Sequence, residues 1–198
     1  MTFDLLAAFA AGYFLGGIPF AAWIARAVGK DIFTTGSGNM GSMNTVRNVG
    51  VAPGIAVFIL DIGKGTLASI AGLQMAAWVG ADPLAMGLTA GVGAVVGHAW
   101  SPYVGFRGGK ALGSAFGMTL PLVPFVGLAA LVLLVALILL TRRATFGTIL
   151  TLALFPILTG AVLARQAWSE GDVLRAALAS GVIAVVSIVK HVRAGGSG

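Results

Sequence analysis

Long apolar segments separated by short polar stretches make up nearly all of this 198-residue sequence. A helix needs about 20 residues to cross the hydrocarbon core of a bilayer, and most of these segments reach that length. Only 9% of the residues are charged, whereas a soluble domain carries roughly a quarter. We therefore predict an all-α, polytopic transmembrane bundle that forms a single domain over residues 1–198, with no soluble domain. The predicted segments are 3–28 (gently broken at Gly16-Gly17-Ile18-Pro19), 53–79, a third ending near Trp100, 111–140, 146–163 and a last ending near Val189.

The segment at 111–140 contains Pro121 and Pro124, and it crosses the membrane either once or twice. The positive-inside rule favours two crossings with a turn at the prolines, because the later cations then share the cytoplasmic side with those of the earlier loops. This gives about seven membrane segments, with the N-terminus outside. The first limb has only about ten residues, so we expect it to be tilted or partly re-entrant. The later cations are Arg142, Arg143, Lys190 and Arg193.

Two glycine-rich loops between the segments carry most of the chemistry. The first is Gly36-Ser37-Gly38-Asn39-Met40-Gly41-Ser42-Met43-Asn44-Thr45-Val46-Arg47, and the second is Gly105-Phe106-Arg107-Gly108-Gly109-Lys110. Glycines allow positive φ and a close approach of the backbone to a ligand. Hydroxyl, amide and guanidinium groups suit phosphate or carboxylate, and free backbone N–H groups beside cations form an anion nest. Both loops face the cytoplasm in the predicted topology, which favours one anion site built from both.

Two ionisable residues, Asp61 and Lys64, lie about two turns inside the second segment. Charged groups at that depth are costly and usually functional. Their spacing of three residues places them on one helix face, where they can pair. They either contribute to the anion site or neutralise each other and fix the packing of the helices.

The context of these motifs argues against other functions. Gly36-x-Gly38-x-x-Gly41 matches the dinucleotide fingerprint, which requires a preceding strand and a βαβ unit. Gly109-Lys110 resembles the end of a P-loop, but Val104 and Ala111 occupy the positions of its first glycine and its Ser/Thr.

The net charge of +6 arises from cations scattered between spans, which membrane topology explains better than nucleic-acid binding. The absence of cysteine excludes thiolate metal sites and a thioester-forming nucleophile.

Three ordered motifs resemble those of the bacterial acyl-phosphate-dependent glycerol-3-phosphate acyltransferases. The loop at 36–47 looks like their first signature, and Asp61-Ile62-Gly63-Lys64-Gly65 looks like the Asp-x-x-Lys-Gly element of their second span. Gly97-His98-Ala99-Trp100-Ser101-Pro102-Tyr103-Val104-Gly105-Phe106-Arg107-Gly108-Gly109-Lys110 is similar to their second signature, including its spacing. The resemblance covers residues 12–116 in detail and the whole chain in length and span pattern.

The resemblance implies an enzyme of the bacterial cytoplasmic (inner) membrane, with its active site facing the cytoplasm. Such an enzyme moves an acyl chain from acyl phosphate to the 1-hydroxyl of sn-glycerol 3-phosphate, and it releases lysophosphatidic acid and phosphate. The family uses no metal and no covalent cofactor. We also expect contact with membrane lipid, no nucleic-acid partner and a monomeric state. Because acyl phosphate is an activated mixed anhydride, no covalent nucleophile is required.

Roles follow from position in the matching motifs. The resemblance implies catalytic roles for Ser37, Arg47, His98 and Lys110. His98 either orients the acceptor or takes its proton, or it is a hydrogen-bonded packing residue at the end of a span. The predicted substrate ligands are Ser37, Asn39, Asn44, Arg47, Lys64, Gly108, Gly109, Lys110 and His191.

The sequence departs from the family pattern in three places. Ser42-Met43 replaces the usual Ala-Thr of the first signature, and Ala111 stands where the family has a fourth glycine. The family also has a third signature near its C-terminus. His191 matches the histidine of that signature, but Ala194 and Ser197 replace its asparagine and arginine.

Three functions therefore stay open. The acyltransferase is favoured by the three ordered motifs. A catalytically altered or silent relative ranks second, because the C-terminal signature is incomplete and the glycine-rich tail at 195–198 is either native or artificial. A small anion or lipid-phosphate transporter ranks last, because the sequence lacks the inverted internal repeat typical of such transporters.

Overall fold

A computed structural model of the chain describes residues 2–166 and 168–195, with side chains described as far as residue 192. The described residues form helices joined by turns, which confirms the prediction of an all-α membrane bundle. A 3₁₀ turn at Pro102–Val104 precedes the second glycine loop. The helices are α1 (Thr2–Gly17), α2 (Phe20–Ala27), α3 (Ser42–Asn48), α4 (Val51–Val79), α5 (Pro83–Ala99), α6 (Leu112–Thr119), α7 (Pro124–Thr141), α8 (Ala144–Ala164) and α9 (Glu170–Gly195).

Six stretches of the described chain are long and apolar enough to cross a membrane. The first contains the predicted break, since α1 ends at Gly17 and α2 begins at Phe20. Pro19 lies between them, and a proline cannot donate the hydrogen bond that would continue the helix. The six stretches are Thr2–Ala27, Val51–Val79, Pro83–Val104, Pro124–Thr141, Ala144–Ala164 and Glu170–Val192.

The region predicted to cross twice consists of a short helix followed by a full-length one. Helix α6 has 8 residues, so it is about 12 Å long and falls well short of the ~30 Å hydrocarbon core. The predicted count of about seven segments therefore becomes six full-length spans and one short helix. Helix α6 runs parallel to α4, because Gly113 lies against Asp61 and Met118 against Gly65. The chain turns back after α6, at the two prolines as predicted, and α7 returns toward the end of the bundle from which α6 started.

Contacts between distant helices show which turns share an end of the bundle. Arg175, early in α9, forms an ion pair with Asp82, which caps α5. At the other end, Lys190 of α9 lies over the ring of Trp100 at 5.4 Å. The turns that carry Asp82 and Asp172 therefore lie at one end of the bundle, and both glycine loops lie at the other. This segregation of charge is what the predicted topology requires.

Small residues bring α1 and α5 into direct backbone contact. A Cβ on Gly12 would lie 1.9 Å from the main-chain oxygen of Ala90, and a Cβ on Gly97 would lie 2.0 Å from that of Tyr13. Such close approach is typical of helix pairs in membranes. Two hydrogen bonds extend this contact beyond α5, because Ser101 Oγ donates to the Gly17 oxygen at 2.6 Å and the Tyr13 hydroxyl donates to the Trp100 oxygen at 2.8 Å. The end of α5 is thereby fixed against the break between α1 and α2.

Candidate active site

The first glycine loop is folded around the side chain of Asn44, which is buried on α3. Its Nδ2 donates to the main-chain oxygens of Thr35 at 3.0 Å and Asn39 at 2.9 Å. Its Oδ1 accepts from the backbone N–H of Ser37 at 3.1 Å and from Asn48 Nδ2 at 2.9 Å. These bonds use both donors and both acceptor positions of the amide. Asn44 therefore shapes the loop from within, and direct contact with substrate would require one of these bonds to break.

Ser37 and Asn39 lie on the same loop but differ in their access to solvent. Ser37 is exposed, so its hydroxyl can contact a ligand that approaches from solvent. Asn39 is 9% exposed, and its Oδ1 has no hydrogen-bond partner among the described residues. The loop therefore presents one open hydroxyl and one buried, unsatisfied amide oxygen.

The second glycine loop rests directly on His98. The backbone N–H of Gly109 donates to the main-chain oxygen of His98 at 3.0 Å. A Cβ on Gly109 would lie 2.1 Å from His98 Nε2, and a Cβ on Gly108 would lie 2.3 Å from the main-chain oxygen of Ala99. Only glycine fits at these two positions. The contacts place the backbone of the loop over the imidazole, with Lys110 as the next residue.

Three cationic or potentially cationic groups converge beside this loop from separate parts of the chain. Arg47 is exposed on α3 and Lys110 is half-buried. Partial burial and the positive charge of Arg47 lower the pKa of Lys110 below its usual value. His191 on α9 interacts electrostatically with Lys110 and lies 3.1 Å from the main-chain oxygen of Ser187 through Nδ1. No carboxylate of the described chain pairs with Arg47 or Lys110, so an anion bound here would compensate their charge.

A buried group of three ionisable side chains lies beneath the loops. Asp61 Oδ1 is 2.9 Å from Lys64 Nζ and 3.3 Å from His98 Nδ1. Lys64 Nζ also donates to the main-chain oxygen of Ile18 at 3.3 Å, at the break between α1 and α2. The pairing of Asp61 with Lys64 predicted from their spacing is thus confirmed. Each of the three side chains is almost completely removed from solvent.

The structure brings together most of the residues that the sequence assigns to the site. Among the described residues, no three His, Cys, Asp or Glu side chains are grouped as metal ligands. Asp61, which its depth in an apolar helix marked as either a contributor to the site or a neutralising partner of Lys64, contacts both Lys64 and His98. The two altered positions of the C-terminal signature, the side chain of Ala194 and Ser197, lie outside the described residues, as does the tail at 196–198.

Comparison with known proteins identifies the family. The model of the glycerol-3-phosphate acyltransferase family matches residues 6–194. This chain belongs to that family. Among curated members, glycerol-3-phosphate acyltransferase 1 of Deinococcus radiodurans is 41% identical over 174 residues, which span 88% of this chain and 85% of the relative. Glycerol-3-phosphate acyltransferase 1 of Dehalococcoides mccartyi is 42% identical over 157 residues, 74% of this chain and 72% of the relative.

Two crystal structures of another family member have the same fold. The first is the glycerol 3-phosphate form of PlsY (YgiH), described as an integral membrane glycerol 3-phosphate acyltransferase. It superposes with a TM-score of 0.76 at 27% identity and covers 96% of this chain and 88% of its own. The lysophosphatidic acid form of PlsY gives a TM-score of 0.77 at 26% identity, over 94% and 87% of the two chains. The likeness therefore extends over almost the whole described bundle.

Proposed function

We propose that this acyltransferase moves an acyl chain from acyl phosphate to the 1-hydroxyl of sn-glycerol 3-phosphate and releases lysophosphatidic acid and phosphate. The observation that carries the proposal is the convergence of Arg47 and Lys110 on one site next to His98. Both substrates carry a phosphate, and the two glycine loops supply cations and backbone N–H groups suited to it. The fold shared with a protein crystallised with glycerol 3-phosphate and with lysophosphatidic acid supports the same substrate class.

Positioning and electrostatics account for catalysis in this proposal. The exposed groups Ser37 and Arg47 and the half-buried Lys110 hold the phosphates. The acyl chain stays in the lipid beside the spans while its carbonyl meets the acceptor hydroxyl at the loops. Holding two reactants in the reactive orientation can lower the activation free energy by about 7–11 kcal/mol. Cations beside the carbonyl oxygen and the leaving phosphate stabilise the charge that develops there. His98, beneath Gly109, either orients the acceptor hydroxyl or takes its proton.

The site faces the cytoplasm in this proposal. Both glycine loops and Lys190 share one end of the bundle, whereas Asp82 and Asp172 share the other. The positive-inside rule places the cationic end in the cytoplasm, where glycerol 3-phosphate is available as a soluble metabolite.

The proposal is tested by phosphate release from the purified protein in lipid. Release should require both palmitoyl phosphate and glycerol 3-phosphate, and palmitoyl-CoA should not replace the donor. Arg47→Ala should raise the KM for glycerol 3-phosphate by about 10- to 100-fold, because a charge-assisted contact contributes about 1.5–3 kcal/mol. Arg165→Ala serves as the matched control, since Arg165 is an exposed arginine at the opposite end. A folded protein that binds glycerol 3-phosphate but never turns over would instead indicate a silent relative.

A further inference from the structure

We infer that the loop at 101–107 is a membrane anchor, in which the exposed rings of Tyr103 and Phe106 lie in the adjoining leaflet of the bilayer. The partner of this surface is the boundary between the headgroups and the acyl chains of the phospholipids. The anchor holds the glycines and the lysine that follow it at the level of the lipid. The membrane contact is independent of the reaction, whereas its effect on the acyl donor rests on the proposed function.

Backbone hydrogen bonds close the loop at 101–107 on itself. The N–H of Ser101 donates to the main-chain oxygen of Arg107 at 3.0 Å, and the N–H of Phe106 donates to that of Ser101 at 2.8 Å. The hydroxyl of Ser101 donates to the main-chain oxygen of Gly17 at 2.6 Å. The loop is therefore tied to the break between α1 and α2, and its aromatic residues have a fixed place on the bundle.

The position of the loop along the first membrane-crossing stretch places it at the depth of the lipid. That stretch is Thr2–Ala27. A Cβ on Gly17 would lie 3.4 Å from the ring of Tyr103, so the ring lies at the level of Gly17. Helix α2 continues to Ala27, and at 1.5 Å per residue its end lies about 15 Å beyond that level. The ring of Tyr103 is therefore inside the apolar stretch and not above the membrane surface.

The side chains of the loop are divided between an inward contact and an outward aromatic surface. Val104 packs against the buried cluster that includes Ala21 of α2. Tyr103 is 53% exposed and Phe106 is 64% exposed, and Trp23 of the neighbouring α2 is also half exposed. Aromatic side chains concentrate at membrane interfaces, where the ring lies among apolar groups and a polar tip reaches water. The outward surface therefore has the chemistry of an interfacial anchor.

The backbone of Phe106 is strained, and lipid contact explains why a bulky residue is placed there. Its φ of +58° lies in the left-handed region, which is rare for a large side chain. Glycine or asparagine would adopt this conformation with less strain. In water the exposed ring would add a second cost, whereas contact with acyl chains removes its apolar surface from water. Lipid contact therefore compensates for both the strain and the exposure.

The anchor is directly joined to the groups that we propose bind phosphate. Gly108, Gly109 and Lys110 follow the loop in sequence, and the N–H of Gly109 donates to the main-chain oxygen of His98 at 3.0 Å. This short connection couples the depth of the rings to the depth of these groups. A long-chain acyl phosphate dissolved in the leaflet carries its phosphate at the headgroup boundary. The anchor therefore keeps the site at the level of that donor, whereas glycerol 3-phosphate arrives from water.

Spin labels test the membrane contact without any assay of activity. Tyr103→Cys and Phe106→Cys each give one attachment site, since the sequence has no cysteine. In vesicles of phosphatidylethanolamine and phosphatidylglycerol, both labels should collide more often with oxygen, which concentrates in lipid, than with a water-soluble nickel chelate. Thr34→Cys, exposed at the same end of the bundle, is the control and should show the reverse. Labels at both aromatic positions that are as accessible to the chelate as the control would overturn the inference.

Phe106→Asn tests the effect on the donor, because asparagine accepts the left-handed conformation but has no apolar ring. The KM for palmitoyl phosphate should rise about tenfold, since a large apolar side chain loses its contact with lipid. The KM for glycerol 3-phosphate and that for octanoyl phosphate, which dissolves in water, should stay near the wild-type values. Phe106→Leu keeps an apolar side chain and should retain the wild-type KM for palmitoyl phosphate.

Phe125→Asn is the matched control, because Phe125 is similarly exposed, at 62%, and begins α7 at the opposite end of the bundle. It should leave every KM unchanged. An equal rise in KM for the long and the short donor in Phe106→Asn would mean that the ring contacts the donor or supports the fold, and it would overturn the inference. A wild-type protein without turnover would contradict the proposed function alone, and the spin labels would still decide whether the loop is an anchor.

Discussion

The guanidinium of Arg107 stacks on the ring of Phe33, with Cζ 3.9 Å from the ring centroid. Phe33 precedes the first glycine loop and Arg107 belongs to the second, so this contact joins the two loops across 74 residues of sequence. Arg107 Nε also donates to the Val104 oxygen at 3.2 Å, which fixes the plane of the guanidinium. This side-chain contact therefore fixes the position of one loop relative to the other, and with it the spacing of the groups that we propose bind phosphate.

Arg107→Ala should raise the KM for glycerol 3-phosphate by about two- to fivefold, because an exposed cation–π contact contributes about 0.5–1 kcal/mol. Phe33→Leu should have a similar effect, since it removes the same contact without changing the charge. Steady-state kinetics on both variants provides the check. Arg26→Ala removes an exposed positive charge elsewhere and should leave KM unchanged. A large effect of Arg107→Ala with none of Phe33→Leu would show that charge alone matters.

Gly109→Ala should abolish turnover, because the new methyl would lie 2.1 Å from His98 Nε2 and force the loop away from the imidazole. The matched control is Gly63→Ala, since a Cβ on Gly63 meets no atom within 4 Å. The control should keep wild-type kcat and gain a little stability, because alanine has the better helix propensity. Initial-rate assays and thermal unfolding measure both variants. A fully active Gly109→Ala enzyme would contradict the placement of His98 beneath the loop.

Ala111→Gly should stabilise the protein by about 0.5–1 kcal/mol. Ala111 is the N-cap residue that precedes α6, and its φ of +61° is a left-handed conformation that costs a residue with a Cβ more than it costs glycine. This conformation gives a physical reason for the glycine that the resembling family has at this position. Thermal unfolding in detergent should show a rise of a few degrees. Ala115→Gly, within α6, should lower the unfolding temperature instead. If both variants lower the unfolding temperature equally, the left-handed conformation of Ala111 does not destabilise the protein.

Affinity for glycerol 3-phosphate should fall at alkaline pH as Lys110 loses its proton. The fall should begin below the usual titration range of lysine, because partial burial and the charge of Arg47 lower the pKa of Lys110. Removing that charge in Arg47→Gln should shift the midpoint of the fall to higher pH, even though affinity is weaker at every pH. Calorimetric titration across the alkaline range measures the midpoint. A midpoint that moves to lower pH, or stays in place, would contradict the coupling of the two cations.

Single cysteines should report the sidedness of the bundle, since the sequence has no cysteine of its own. Thr34→Cys and Thr145→Cys, both exposed at the end of the glycine loops, should react only with reagents that reach the cytoplasm. Glu170→Cys, exposed at the acidic end, should react with an impermeant maleimide added to intact cells. Reaction of Thr34→Cys with the impermeant maleimide would contradict the proposed orientation but not the fold.

Much of the fold follows from patterns visible along the chain. Uninterrupted apolar length predicts the spans, and Pro19, Pro121 and Pro124 predict the breaks, because both depend on local chemistry. The lengths of the two helices in the 111–140 region do not follow from local patterns. Charge bias indicates that the chain turns back there, but only the contacts of α6 with α4 show that one limb stops at 8 residues. A helix this short is stabilised mainly by its neighbours, and its sequence alone does not set its length.

The same division holds for the site. Local patterns along the chain predict which groups the site contains. These are glycines that allow close backbone approach, cations at two loops, and an acid and a lysine three residues apart in an apolar helix. The contacts of each group depend on how the helices pack. The tertiary structure turned Asn44 inward to hold its own loop, and it placed Asp61 between Lys64 and His98. Local patterns record which groups a segment carries, whereas a contact between residues 37 positions apart, such as Asp61 and His98, depends on how α4 and α5 pack.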